Sequence, residues 1–214
     1  MTNETIRPTF YSNHRIRNVK LADNFENTHD KQSIKSFLKD EKKNILEIGF
    51  GMGNSIKQMY LINPENYFCI ESYIQGVNNL NSFVKKNDIN NIFLFQGDAI
   101  DIVEKVIPDN SMDKILIYFP DPWPKNKHHK RRIINNYTLK LFFKKLKANG
   151  LFHFASDHIN YAYFAKMLLS SFLNENILFQ NHRGFRPITN YEKRANRKKN
   201  FIFDIIIKKT KNYT

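Results

Sequence analysis

The stretch Asn44-Ile45-Leu46-Glu47-Ile48-Gly49-Phe50-Gly51-Met52-Gly53 decides the fold class of this sequence. Its first five residues predict a buried strand, and three glycines at alternate positions follow at once. Glycines there let the backbone turn sharply and let a ligand approach it closely. The dinucleotide fingerprint needs its third glycine at the position of Asn54, so NAD and FAD are disfavoured. Glu47 lies inside this apolar strand, where a carboxylate is costly unless it serves a ligand.

Segments predicted as strands and helices alternate along the chain around this stretch. The predicted strands are 44–48, 67–70, 92–95, 114–119, 151–155, 177–179 and 201–207. The predicted helices are 31–38, 54–62, 74–86, 99–107, 133–147 and 159–172. Continuous apolar strands that alternate with helices are typical of a mostly parallel sheet with helices on both faces. We therefore expect an α/β domain with a seven-stranded, mostly parallel sheet at 31–214, after a polar amino-terminal arm at 1–30.

The composition excludes several classes of protein. The chain of 214 residues is 41% hydrophobic and 25% charged, which is ordinary for a globular protein. One cysteine, Cys69, rules out a disulfide framework and any multi-cysteine zinc or iron–sulfur site. No run of eighteen apolar residues predicts a transmembrane helix, and the first residues have no apolar core that would predict a secretory signal. We expect a cytoplasmic protein without a membrane partner.

The net charge of +14 is distributed unevenly along the chain. Residues 1–121 contain 14 basic and 16 acidic residues, whereas residues 122–156 contain nine basic residues and no acidic residue. Compositional drift towards lysine is one explanation, but drift would spread the lysines through both halves. The asymmetry therefore favours a surface in the second half that faces a polyanion.

Acidic residues stand at the ends of the next two predicted strands. Glu71 ends the second strand, where a carboxylate can accept hydrogen bonds from both hydroxyls of a ribose. Asp98 follows the third strand, where it can meet an exocyclic amine or, equally, cap the next helix. Because ligands bind at the carboxyl ends of parallel strands, these acids favour an adenosine-bearing ligand that lacks phosphates.

A proline-rich segment follows the fourth strand, Pro120-Asp121-Pro122-Trp123-Pro124-Lys125. Its three prolines fix the loop before any ligand binds, which holds Asp121 at the end of the strand. The next segment, Lys127-His128-His129-Lys130-Arg131-Arg132, predicts contacts with phosphates, and a solvated charge run is the alternative. The adjacent histidines do not predict a metal site, since no carboxylate or thiol is spaced to join them.

These features resemble the class I S-adenosylmethionine-dependent methyltransferases over residues 42–120. The resemblance implies a Rossmann-like methyltransferase fold with S-adenosyl-L-methionine as the cofactor. It also implies that the glycine loop borders the methionine part, that Glu71 binds the ribose and that Asp98 lies beside the adenine. The expected cofactor-binding residues are Glu47, Gly49, Gly51, Gly53, Glu71, Asp98 and Asp121.

The proline-rich segment and the basic run together are similar to those of the bacterial tRNA (guanine-N7-)-methyltransferase family, and the resemblance covers residues 42–207. It implies methylation of the guanosine at position 46 in the tRNA variable loop. The residues that the resemblance assigns to substrate binding are Lys125, Asp157, Thr189, Asn190, Tyr191 and Glu192. Those assigned to RNA contacts are Lys127, His128, His129, Lys130, Arg131 and Arg132.

Asp121 is the candidate catalytic residue. Guanine N7 carries a lone pair in the plane of the base and needs no strong base before it attacks a methyl group. Asp121 can hold the donors of the Watson–Crick edge and offset the positive charge that methylation creates. We expect tRNA as the partner, no metal and no obligatory protein partner. The rival hypotheses are a methyltransferase for small molecules or proteins, and a non-catalytic RNA-binding module.

Overall fold

A single twisted sheet organises the computed structural model, which describes residues 20–21, 38 and 41–210. The strands are β1 (Lys20–Leu21), β2 (Asn44–Ile48), β3 (Asn66–Glu71), β4 (Ile92–Gln96), β5 (Met112–Tyr118), β6 (Leu146–Ser156) and β7 (Phe203–Lys208). Their order across the sheet is β1-β4-β3-β2-β5-β6-β7. The five strands from β2 to β6 pair in parallel, whereas β1 and β7 pair antiparallel at the two edges.

Helices cover both faces of this sheet. They are α1 (Asn54–Ile62), α2 (Ile74–Lys86), α3 (Ala99–Lys105), α4 (Asn136–Lys145), α5 (Ile159–Leu173) and α6 (Asn190–Arg197), with a 3₁₀ helix at Asn126–Arg131. One buried cluster joins the sheet to α3, α4 and α5, and a second joins it to α1 and α2. Alternate residues of β2 divide between the clusters, since Leu46 belongs to the first and Ile45 to the second. The predicted α/β fold is confirmed.

Several predicted elements differ from the structure. The strand predicted at 177–179 is wrong, because this segment is irregular and only Gln180 forms an isolated bridge, to Asp204. The seventh strand is instead the two-residue β1, inside the segment predicted as a polar arm. The rest of that arm and almost all of the helix predicted at 31–38 lie outside the described residues.

The helix predicted at 133–147 is shorter, and α6 was missed. α4 begins at Asn136 because Asn135 and Thr138 form a reciprocal capping box. It ends at Lys145 because Leu146 begins β6. None of the helices within residues 41–210 is long and apolar enough to span a membrane.

The order of the strands creates a crevice at the centre of the sheet. From β2 the chain moves outward through β3 to β4, and it then returns to the other side of β2 with β5 and β6. The direction of winding therefore reverses between β2 and β5. In open α/β sheets the crevice at such a switch point, beyond the carboxyl ends of the strands, binds the ligand. The glycine loop follows β2 and the proline-rich loop follows β5, so both predicted site loops meet at this crevice.

Candidate active site

A cavity of about 600 Å³ lies at the carboxyl ends of the central strands. Its volume is within the range of about 300–1,000 Å³ that is usual for small-molecule sites. The predicted site residues that line it are Gly49, Gly51, Glu71, Asp98, Asp121 and Tyr191. Three carboxylates and no lysine or arginine belong to its lining. This charge favours a cationic ligand over a phosphate-bearing one.

The glycine loop reaches this cavity because Gly76 of α2 lets the loop pack closely against this helix. Gly51 has a left-handed backbone with φ of 58°, which a side chain would strain. A Cβ atom added to Gly76 would lie 2.0 Å from the carbonyl oxygen of Gly51. Residue 76 must therefore be glycine for α2 to pack against the loop. Gly76 was not among the predicted site residues, although a glycine inside a predicted helix is itself a signal of close packing.

Glu71 joins the glycine loop to the end of β3. One carboxylate oxygen accepts a hydrogen bond from the backbone N–H of Gly51 at 2.7 Å. The other oxygen accepts from the N–H groups of Ser72 and Tyr73, at 2.7 and 2.9 Å. The Glu71 side chain is held at the cavity wall by three backbone donors, so its orientation is set before a ligand binds.

Asp98 and Asp121 both line the cavity, the first after β4 and the second after β5. Asp98 caps α3, since its Oδ1 accepts from the N–H groups of Ile100 and Asp101. It also lines the cavity, so the cap is confirmed and the contact with an exocyclic amine stays a prediction. Asp121 is exposed, and the aromatic residues near it, Phe119 and Trp123, have left-handed φ angles of 50° and 43°. Such angles are unusual for bulky residues and mark a loop that its surroundings hold in place.

A second cavity of about 140 Å³ adjoins the first, and the two share five lining residues: Gly49, Gly51, Tyr73, Phe119 and Tyr191. Glu47, Ser55 and Arg194 also line it. The Ser55 hydroxyl donates to one oxygen of Glu47 at 2.6 Å, while the other oxygen is buried without a partner in the described part of the chain. Burial raises the pKa of Glu47 to about 7, which the Ser55 hydrogen bond opposes and the charge of Glu71 reinforces.

Comparison with known proteins identifies the chain. Residues 41–205 match a family model described as "Putative methyltransferase". A tRNA (guanine-N(7)-)-methyltransferase of Francisella philomiragia is 43% identical over 172 residues, covering 77% of this chain and 74% of the relative. One of Legionella pneumophila strain Paris is 36% identical over 189 residues, covering 84% of this chain and 78% of the relative. The chain belongs to the tRNA (guanine-N7-)-methyltransferase family.

A solved structure titled "Structure of an Antibiotic Related Methyltransferase" has the same fold as this family member. It aligns with a TM-score of 0.59 at 18% identity and covers 84% of this chain and 94% of its own. At this identity the likeness supports the Rossmann-like methyltransferase fold alone.

The basic run of this tRNA (guanine-N7-)-methyltransferase family member is a 3₁₀ helix whose residues have different surroundings. Lys127 and Lys130 are exposed, and His128, His129 and Arg131 are partly exposed. Arg131 lies over the ring of Trp123, 4.9 Å from its centroid. Arg132 is only 2% exposed and donates to the carbonyl of Pro122 at 2.9 Å. Its predicted contact with RNA is therefore corrected: the guanidinium packs on Tyr161 and Phe164 and fixes the proline-rich loop.

The segment Thr189-Asn190-Tyr191-Glu192 caps and begins α6. Its first three residues line the smaller cavity, and Tyr191 also lines the larger one. Tyr191 is nearly parallel to the ring of Phe119, with centroids 6.0 Å apart. Asn190 lines the smaller cavity beside it. Thr189 caps the helix by accepting from the N–H of Glu192 at 3.0 Å, and its side chain is therefore engaged in the cap.

Glu192 is buried in an ion-pair network that the sequence did not reveal. Arg186 donates to Glu192 and, through two nitrogens at 2.9 Å each, to both oxygens of Asp204. Asp204 also lies 2.8 Å from His153 Nε2, and the Tyr118 hydroxyl lies 3.1 Å from Nδ1 of the same ring. Arg186, 2% exposed, thus ties α6 to β7 and to the end of β5.

Three predicted substrate residues lie outside both cavities: the buried Glu192, Lys125 and Asp157. Lys125 is exposed at the start of the 3₁₀ helix, and Asp157 follows the end of β6. Gly53 also lies outside the lining, where it precedes α1 with a left-handed φ of 74°.

The buried residues Arg186, His153 and Asp204 had only a weak signal in the sequence, since Asp204 is a charged residue in an otherwise apolar predicted strand.

Proposed function

We propose that this chain transfers a methyl group from S-adenosyl-L-methionine to N7 of the guanosine at position 46 of the tRNA variable loop. The observation that carries the proposal is the convergence of the glycine loop, Glu71, Asp98 and Asp121 on one cavity. The names of the relatives supply the substrate class, tRNA, and the methylated atom. A tRNA substrate also supports a cytoplasmic location for this protein.

The lining of the larger cavity fits the cofactor. Glu71 presents a fixed carboxylate edge to the hydroxyls of a ribose, and Asp98 lies on the adjacent strand end. Apolar side chains of Ile48, Ile70 and Ile117 offer flat contact surface for an adenine ring. When bound, the cofactor supplies an electrophilic methyl group on a cationic sulfur. The three carboxylates of the lining suit that positive charge, and Glu47 would face the amino-acid part from the glycine-loop side.

The chain's own residues position the guanine. Asp121, on its restrained loop, would accept hydrogen bonds from the Watson–Crick edge and offset the charge that develops on the ring. Asn190 and Tyr191 would form the wall against which the base lies, with Lys125 and Asp157 on the nucleotide outside the cavities. Glu192 and Thr189 would act indirectly, because the ion pair and the helix cap hold α6 in place.

Mapping the product tests this proposal. The purified chain alone is incubated with S-adenosyl-L-methionine and an unmodified tRNA transcript, and the methylated nucleotide is located by nuclease digestion. We expect 7-methylguanosine at position 46, and no product from a matched transcript with adenosine at that position. Methylation at another nucleotide would refute the position, and the absence of any methylated RNA would refute tRNA as the substrate of the isolated chain.

A further inference from the structure

Asn190, Tyr191 and Arg194 of α6 line the candidate site, but the positive charge of this helix and of the two residues after it has no assigned role. Five cations occur within seven residues: Lys193, Arg194, Arg197, Lys198 and Lys199. All five are exposed, while Glu192 and Ala195 form the buried face of the helix. We propose that these five residues, here called the α6 cationic surface, bind the phosphates of tRNA on the side of the cavities away from the 3₁₀ helix. This inference rests on the proposed function, which supplies the polyanion.

The charge of this surface is not neutralised within the described chain. None of its five side chains forms an ion pair with a carboxylate among residues 41–210. The neighbouring acid, Glu192, is buried, and Arg183 and Arg186 occupy its two oxygens. Five like charges this close repel one another at low salt, so the cluster is costly to the isolated protein. A polyanionic partner relieves that repulsion.

The helix dipole explains only part of the cluster. Cations in the last turn interact favourably with the negative end of a helix, and Arg194 and Arg197 lie in the last turn of α6. Lys193 lies in the first half of the helix, where the dipole gives a cation no advantage. The even spread of charge over the exposed face matches a partner that presents a row of anions.

The surface is continuous with the candidate active site. Arg194 lines the smaller cavity and lies 4.5 Å from the centroid of the Tyr191 ring. Tyr191 pairs with Phe119, which leads into the proline-rich loop and the cationic 3₁₀ helix. One cationic segment therefore follows Phe119 along the chain, and the other begins two residues after Tyr191. A nucleotide whose base enters the cavity has phosphates on its 5′ and 3′ sides, and each side meets one cationic segment.

α6 presents these cations on a firm support. The buried pairs of Arg186 with Glu192 and Asp204 attach the helix to β7. An ordered helix loses little conformational entropy when it binds, which favours a specific contact over a diffuse one. A shape-dependent contact with the backbone also suits recognition of a folded RNA.

The test compares the salt dependence of tRNA binding in matched double variants of the full chain. Lys193→Gln/Arg197→Gln removes two charges from the surface and spares Arg194, which belongs to the candidate site. Lys85→Gln/Lys86→Gln removes two exposed charges at the far end of α2 and is the control. The probe is an unmodified tRNA transcript, titrated at several salt concentrations, and circular dichroism checks that each variant is folded.

We expect Lys193→Gln/Arg197→Gln, the α6 variant, to bind tRNA about tenfold more weakly at low salt. Its salt slope, which is the slope of the logarithm of the binding constant against the logarithm of the salt concentration, should be shallower by roughly 0.7–0.9 for each lost contact. The control should keep the wild-type slope, and methylation by the α6 variant at saturating tRNA should stay near the wild-type rate. Equal slopes in the wild type and the α6 variant would overturn the inference, as would equal losses in both variants. Failure of the wild type to methylate guanine N7 would refute the proposed function separately, because the binding titration does not depend on turnover.

Discussion

At the scale of single residues, the candidate site depends on carboxylates whose surroundings differ. Asp121 is exposed on a loop between two aromatic residues with left-handed backbones, whereas Glu47 is buried beside Ser55. The first can receive a substrate, and the second is poised between two protonation states near neutral pH. Each therefore has its own diagnostic experiment.

Replacing Asp121 should affect turnover far more than cofactor affinity. Asp121→Ala removes both the acceptor for the guanine edge and the charge that stabilises the transition state, so we expect kcat to fall by about 10²–10³-fold. Asp121→Asn keeps the shape of the side chain but not its charge, so its kcat should lie between those of the alanine variant and the wild type. Single-turnover methylation gives the rates, and calorimetry with S-adenosylhomocysteine gives the affinities. Wild-type rates in both variants would remove Asp121 from the mechanism.

Glu47 should make the stability of the fold depend on pH. Its folded pKa of about 7 lies above the ordinary value of 4.5, so between these values the folded state holds a proton that the unfolded state has lost. The free energy of unfolding therefore falls as the pH rises from 4.5 to 7, and Glu47 causes no further fall above pH 7. Glu47→Gln cannot ionise, so relative to wild type it should gain up to about 3 kcal/mol between pH 4.5 and 8.

Urea unfolding at four pH values measures that difference. The control is Glu41→Gln, an exposed carboxyl that is solvated in both states, and it should follow the wild-type curve. A constant difference between Glu47→Gln and wild type at every pH would show that Glu47 is ionised in the folded protein throughout.

At the scale of elements, α6 is held by charge rather than by an apolar face. Its buried residues are Glu192 and Ala195, so the contact of Glu192 with Arg186 replaces the hydrophobic stripe of an ordinary surface helix. Asp204 accepts from the same guanidinium, and the charge of Arg186 and the hydrogen bonds of His153 and Arg186 hold its pKa below the ordinary range against the effect of burial. Arg186 is the common partner.

Removing Arg186 should destabilise the whole protein. Arg186→Met leaves the buried Asp204 without its arginine and Glu192 with only the partly exposed Arg183, and we expect the free energy of unfolding to fall by about 3–5 kcal/mol. Arg186→Lys restores the charge but cannot donate to both oxygens of Asp204, so it should recover only part of the loss. Adding Glu192→Gln and Asp204→Asn to Arg186→Met should restore stability, because the uncompensated charges are gone. A loss below about 1 kcal/mol for Arg186→Met would contradict this account of the network.

The elements that the sequence predicted are those with strong local signals. β2 is an apolar run that ends in three glycines, and the segments of α2 and α5 have long apolar patterns, so their positions could be read from neighbouring residues. α6 has only one apolar residue on its buried face, Ala195, so its pattern carried no helical signal. The apolar run at 177–179 suggested a strand, yet Ile177 packs into the core from an irregular segment.

The structure brings predicted site residues together where each stands at the end of its own strand. Glu71, Asp98 and Asp121 line one cavity for this reason, since parallel strands end at a common edge. The role of Arg186 depends on partners 6 and 18 residues away along the chain, which no local pattern shows. Arg132 was misplaced for a related reason: a basic run predicts charge but not which member turns inward to meet Pro122.

At the scale of the whole molecule, the two cationic segments are connected to one crevice through Phe119 and Tyr191, and they should act on one tRNA. The 3₁₀ helix follows β5 and α6 precedes β7, and the pair formed by Phe119 and Tyr191 joins them across the cavities. Charges that contact the same RNA release counterions independently, so their effects on the salt slope should add. The slope of a combined variant therefore measures whether both segments engage at once.

The combined variant joins Lys127→Gln/Lys130→Gln to Lys193→Gln/Arg197→Gln. Each double variant should flatten the salt slope of tRNA binding by roughly 1.4–1.8, and the quadruple variant by about the sum of the two changes. The loss of tRNA affinity in each double variant should be the same for every tRNA tested, because phosphate contacts carry no sequence information. A quadruple variant no flatter than either double variant would mean that the two segments bind alternative RNA positions, since only contacts made in the same complex can add their released counterions.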